Sequence, residues 1–78
     1  MEISINEVKQ KLKDHYIEAS FRLFIDPLEV ESQNNDEIVL RAKNEWSKEI
    51  IEKRFISDIQ EVIESLAQKT MKINIVVE

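Results

Sequence analysis

The sequence predicts an α+β domain whose elements run in the order ααββαβ, a three-stranded sheet with helices packed on it. Three observations lead there. Apolar residues recur at helical spacing in two segments before Pro27 and in one long segment after Asn44. Two short alternating, β-branched runs lie between them, joined by Gln33-Asn34-Asn35-Asp36. A last alternating run closes the chain.

The first helix is expected over about residues 5–15. Ser4 with Glu7 three residues on reads as a capping box, and Ile5, Val8, Leu12 and Tyr16 fall close to one face. A second apolar series, Ile17, Phe21, Phe24, Ile25 and Leu28, predicts a second helix, with the break near residues 16–19. Pro27 stops it, because the residue before a proline avoids the helical region. Residues 28–31 and 37–42 then read as a hairpin. Asn and Asp tolerate the left-handed backbone that a tight turn asks for when glycine is missing.

Asn44 is placed to cap the third helix, with Glu45 in its first turn where the helix dipole favours an anion. The helical pattern continues to about Gln68. Ile51, Phe55, Ile59, Val62 and Leu66 form its central stripe, flanked by Ile50 and Ile63. Ser57 with Gln60 is a weaker capping signal that predicts a bend near Ile56. Met71, Ile73, Ile75 and Val77 alternate with Lys72, Asn74 and Val76 as the closing strand.

At 78 residues the chain is expected to be one domain with a small core. With 42% apolar and 35% charged residues it reads as globular rather than disordered. It has no cysteine, which excludes a disulfide framework and a thiolate metal site. No apolar run is long enough to span a membrane, and the N-terminus lacks the pattern of a signal peptide. The expected location is the cytoplasm. The net charge of -5 disfavours tight independent binding of nucleic acid. Glycine is absent, which excludes P-loops, dinucleotide fingerprints and nucleophile elbows.

Catalytic chemistry has no foothold. His15 is the single histidine and stands without a second histidine or a cysteine. The carboxylate pairs Glu61/Glu64 and Glu49/Glu52 fall on the polar face of the long helix, among Lys48, Lys53 and Lys69, and read as a solvated face. No nucleophile, base and orienting group stand together. The expectation is a protein that is not an enzyme and needs no metal or cofactor.

Two apolar residues miss the buried stripes. Trp46, the sole tryptophan, lies roughly 170° from the mean apolar direction of its own helix, and Leu23 roughly 140–150° from that of the second helix. Trp46 either faces solvent or packs sideways on a neighbouring element. Tryptophan is favoured at interaction surfaces because it buries much area at low entropy cost, so the pair marks a candidate contact patch.

Phe21-Arg22-Leu23-Phe24-Ile25-Asp26-Pro27-Leu28 resembles the F-x-x-W-hydrophobic-x-P-L signature of the N-terminal domain of the bacterial replication initiator DnaA. Lys43-Asn44-Glu45-Trp46 resembles that family's P-N-x-F, and residues 50–55 resemble its W-L-x-x-[KR]-Y. The likeness runs in order along essentially the whole chain. It implies a KH-like fold and a docking module at the front of a longer protein, followed by a linker, an ATPase domain and a duplex-DNA-binding domain. It implies recruitment of the replicative helicase, binding of initiation regulators and weak self-association. Carried over by position, Ser20 and Trp46 match helicase contacts, and Leu23, Phe24, Asn44 and Trp46 match regulator contacts. Ile5 matches a self-association position, although it lies on the apolar stripe, where a core role is expected. The chain departs from the family in lacking an acid at Ser20, in Phe24 for a tryptophan, and in Lys43 for a proline.

Two other readings stand beside this one. A KH-like binder of single-stranded nucleic acid would stack a base on Trp46, with Lys43, Lys48 and Lys72 near, but a KH loop needs G-x-x-G. A small homo-oligomeric domain would turn the patch on a second copy of itself.

Overall fold

The computed structural model describes residues 3–77. Helix α1 spans Ile5–Lys13. Helix α2 runs over residues 18–25, as a single α turn at Glu18–Ser20 and a wider π turn at Phe21–Ile25. Strands β1 (Glu29–Gln33) and β2 (Glu37–Ala42) form the hairpin. Helix α3 occupies residues 45–67: α at Glu45–Ile50, π at Ile51–Phe55, and α again at Ile56–Ala67. Strand β3 is Lys72–Val77. The order is the expected ααββαβ.

The sheet has the order β1-β2-β3, antiparallel between β1 and β2 and parallel between β2 and β3. A parallel pair needs a long crossover, and α3 supplies it. Ile38, Leu40 and Ala42 alternate inward from β2 and are buried. They meet Val8 and Leu12 of α1, Phe21 and Ile25 of α2, and Ile51, Phe55, Ile59 and Ile63 of α3 in one apolar core. The opposite sheet face is polar: Arg41 pairs with both Glu29 and Glu31, and Asn74 donates to Glu37. The hydrogen bond to Glu29, then that to Glu31, holds the Arg41 guanidinium charged above its usual range.

Several local expectations are corrected. Helix α1 ends at Lys13, not residue 15, and the Ser4 side chain makes no capping bond; the Ser4 carbonyl instead accepts from Val8 N–H at 3.2 Å. The hairpin turn uses no left-handed residue. Asn34 Oδ1 accepts from the backbone N–H of Asp36 and Glu37, at 2.8 and 2.9 Å, and so closes the turn with its side chain. β1 runs on to Gln33, past the expected residue 31, with a bulge at Val30/Ser32. Gln33 in turn clamps the N-terminal segment: Ile3 N–H donates to its Oε1 at 2.8 Å, and its Nε2 donates to the Ile3 carbonyl at 3.1 Å.

The disturbance in α3 falls at Phe55/Ile56 as expected, but its cause is the π turn rather than a cap from Ser57. Ser47, Ile51, Phe55, Ile59 and Ile63 are all buried, at a constant spacing of four. In a regular helix such a series drifts about 40° per step. A π turn, bonded i→i+5, winds more residues per turn than an α turn, and this offsets part of the drift. That moves Ile63 into the core and leaves Val62 and Leu66 half-buried, the reverse of the predicted stripe. Glu64 does not stand on a solvated face either. Its Oε2 accepts from Met71 N–H at 3.1 Å and from Gln60 Nε2 at 3.2 Å, anchoring the entry to β3.

Candidate protein-docking surface

Three large apolar residues are exposed among the described residues: Ile17 at 73%, Trp46 at 54% and Leu23 at 44%. Trp46 and Leu23 are the two that the helical angles single out. Ile17 was expected in the buried series of α2 and is instead its most exposed apolar residue. It stands at the cap position, with extended backbone (φ -66°, ψ 150°). A missing polar cap before Glu18 is the signal that could have revealed it, because Ser, Thr, Asp or Asn is favoured there.

Trp46 is placed by the start of α3. Asn44 is extended (φ -160°, ψ 175°), and its Oδ1 accepts from Ser47 N–H at 2.8 Å. That bond turns the chain into the helix with Ser47 buried inward. Trp46, one residue back, is carried about 100° away from it. Its ring does not stand free: it meets the half-buried Phe24 ring at 5.2 Å between centroids, tilted by 52°. Both alternatives for Trp46 are therefore partly realised, with one side of the indole against α2 and the rest open to solvent.

The contact continues inward. Phe24 meets Phe55 at 5.5 Å, and Phe55 meets Tyr16 edge-on at 4.8 Å. The Tyr16 hydroxyl donates to Asp58 Oδ2. A row of four rings thus ties the exposed indole to the core. Ser20 is half-buried on α2, one turn before Phe24. The structure brings Phe24 to Trp46, two residues after the cap Asn44, whose side-chain oxygen is occupied by Ser47; Leu23 is exposed beside Phe24 in the chain.

Charges rim this patch without dominating it. Lys43 and Glu45 are exposed and Lys48 is half-buried. Glu18 pairs with Arg22 at 2.8 Å and Glu49 with Lys53 at 3.4 Å, both exposed i,i+4 pairs and weak for that reason. Ile5 is half-buried against the core, on the same helix as buried Val8 and Leu12. His15 is exposed and borders a shallow hollow with Leu12, Asp58, Glu61 and Val62. Among the described residues no three His, Asp or Glu side chains stand where they could hold a metal ion. No described helix is long and apolar enough to cross a membrane.

No curated protein matches the chain. A family model does: that of the DnaA N-terminal domain, over residues 5–65. The match takes in α1, α2, the hairpin and nearly all of α3, and with them every residue of the aromatic row. The chain belongs to the DnaA N-terminal domain family, a family of replication-initiator domains.

Proposed function

We propose that this domain is the protein-docking module of a chromosomal replication initiator, recruiting the replicative helicase and binding initiation regulators through Ser20, Leu23, Phe24, Asn44 and Trp46. One observation carries the reading. In a domain of this family, a tryptophan is held by an N-cap and a neighbouring ring, yet more than half of it faces solvent. A half-seated aromatic with a polar rim is the anatomy of a contact whose centre is filled only when the partner arrives.

The remaining parts of the proposal are what the likeness to the family suggests. The domain is KH-like, works in the cytoplasm, and stands ahead of a linker, an ATPase domain and a duplex-DNA-binding domain. It does no catalysis and takes no cofactor. Self-association is weak, because Ile5 is largely committed to the core. Single-stranded DNA is at most a weak ligand of a chain carrying a net charge of -5.

Trp46→Ala tests the reading. The variant loses the Phe24 contact, so its stability falls by about 1 kcal/mol. Its affinity for the purified helicase falls at least ~30-fold, the loss of a hot-spot residue. Unchanged helicase binding combined with a large loss of stability would show that the ring serves the fold and not the partner.

A further inference from the structure

The two edges of the sheet are built differently. The order β1-β2-β3 leaves β1 and β3 each with one side unpaired. An open edge is a template for pairing with another chain, and proteins blunt it with bulges, charges or a covering segment. β1 combines such devices: the bulge at Val30/Ser32, the exposed acids Glu29 and Glu31, and the Ile3 backbone clamped by Gln33 at its end. β3 is plain by comparison. Its register with β2 is unbroken from Lys72 to Val77, it holds no proline, and its one charge is Lys72 at the start.

One hydrogen bond fixes which backbone groups of β3 face outward. Lys72 N–H donates to the Asp36 carbonyl at 2.9 Å, toward β2. Successive residues of a strand turn their backbone groups to opposite sides. Asn74 and Val76 therefore also bond β2, while Ile73, Ile75 and Val77 turn N–H and C=O away from it. Among the described residues no hydrogen bond reaches these three on that side. Their side chains lie on the helix-covered face, in register with Ile38, Leu40 and Ala42. Ile75 is buried there, but Ile73 and Val77 are only half-buried.

We propose that β3 pairs antiparallel with β3 of a second copy, with Ile75 opposite Ile75 on the two-fold axis. This register sets Ile73 opposite Val77 of the copy, so that each of the three outward residues exchanges N–H···O=C bonds across the axis. A slip of one residue would turn the apolar side chains to the wrong face. A slip of two would leave Ile73 or Val77 without a partner in the strand. Lys72 does not meet its own copy: the register keeps the two lysines roughly 20 Å apart, well beyond the Debye length of about 8 Å. The strand is thus complementary to itself, and the assembly ends at two copies. The joined sheet runs β1-β2-β3-β3-β2-β1 and exposes only the blunted β1 edges. The inference rests on the weak self-association proposed above, to which it gives a face, and it makes no use of Trp46.

The test is sedimentation equilibrium of the domain up to millimolar concentration, with Val77→Pro, Ile5→Ala and Trp46→Ala beside wild type. Val77→Pro removes one outward N–H and no bond to β2, a position where an edge strand tolerates proline; circular dichroism checks its fold. It is expected to weaken the dimer about tenfold or more, while the other two variants associate like wild type. Cysteine pairs read the register without a proline. The chain has no cysteine of its own, and residue 74 falls directly opposite residue 76 of the copy. An oxidised mixture of Asn74→Cys with Val76→Cys is expected to cross-link faster than either variant alone, because each alone sets its thiols on a longer diagonal. If wild type stays monomeric throughout, this proposal and the weak self-association fall together, and helicase docking stands. If Ile5→Ala or Trp46→Ala dissolves the dimer and Val77→Pro does not, self-association stands but β3 is not its face. A mixture that cross-links no faster than the single variants overturns the register. Protection of the Ile73, Ile75 and Val77 amides from hydrogen exchange only after the purified helicase is added overturns the second copy as occupant.

Discussion

The hydroxyl of Tyr16 is the group whose removal tests the packing most directly. It is the only tyrosine in the chain, so its ionisation is read without overlap from another phenol. Its oxygen donates to Asp58 Oδ2, joining the segment after α1 to α3, while its ring meets the edge of Phe55. Burial first, and then the hydrogen bond and negative charge of Asp58, push its pKa well above the ordinary tyrosine range. The sign follows from linkage. A group whose pKa is raised by folding stabilises the fold while it keeps its proton. Its contribution is complete below about pH 10, where the unfolded phenol is also protonated, and is lost as pH climbs through the folded value.

Tyr16→Phe keeps the ring against Phe55 and deletes the hydroxyl. Asp58 is half-buried and water can reach it, so the loss is that of an ordinary hydrogen bond, about 1–1.5 kcal/mol. For a domain of this size that lowers Tm by roughly 4–10 °C. Urea unfolding at neutral pH, followed by Trp46 fluorescence and circular dichroism, measures the difference. Above about pH 10 the wild type is expected to lose its advantage, so the gap closes. Asp58→Asn completes a double-mutant cycle, in which the two changes should couple rather than add. The reasoning fails if the phenol of the folded protein ionises near its ordinary value, or if the two substitutions are additive.

Two further outcomes are expected. Asn44→Ala removes the bond to Ser47 N–H and costs about 1 kcal/mol; because that cap also aims Trp46, the fluorescence anisotropy of the indole should fall below wild type. Gln68 ends α3 in the left-handed region, at φ 57° and ψ 36°, and is the only described residue with positive φ. A side chain there costs about 1–2 kcal/mol, and glycine's greater freedom when unfolded returns roughly 0.5–1 kcal/mol of the relief, so Gln68→Gly should gain about 0.5–1 kcal/mol in thermal unfolding.

The order of elements was legible because each apolar period is short-range and unambiguous. Ile38, Leu40 and Ala42 alternate; Ile51, Phe55 and Ile59 step by four. Asn44 was legible as a cap because one side-chain oxygen and one backbone N–H decide it. What was lost depended on partners outside the residue's own element or on irregular winding within it. Glu64 looks like a surface acid until β3 brings the Met71 N–H to it. Gln33 looks like a turn residue until Ile3 lies beside it. Ile63 and Val62 exchange places because a π turn shifts the register, and no period measured at 100° per residue can foresee that. Trp46 and Leu23 were legible as misfits, because their angles need only their own helices. Ile17 was not, since its spacing fits the buried series and only the break after α1 lifts it out.

The two π turns bear on how the surface is built. Phe24 belongs to the one in α2 and Phe55 to the one in α3, and the two rings meet each other. A π turn displaces its side chains from the stripe that regular winding would impose, and such turns recur at functional sites. Here both displacements occur at the same contact. Phe55 stays in the core and Phe24 is only half-buried, so the pair bridges the buried layer and the outside. Trp46 then rests on Phe24 instead of sinking into the sheet. A regular α3 would carry the same tryptophan on a helix whose buried series had drifted around the axis. The widened turns hold Phe55 inward while the start of α3 turns its indole toward α2, and that divides one row of rings into a fixed inner end and an accessible outer one.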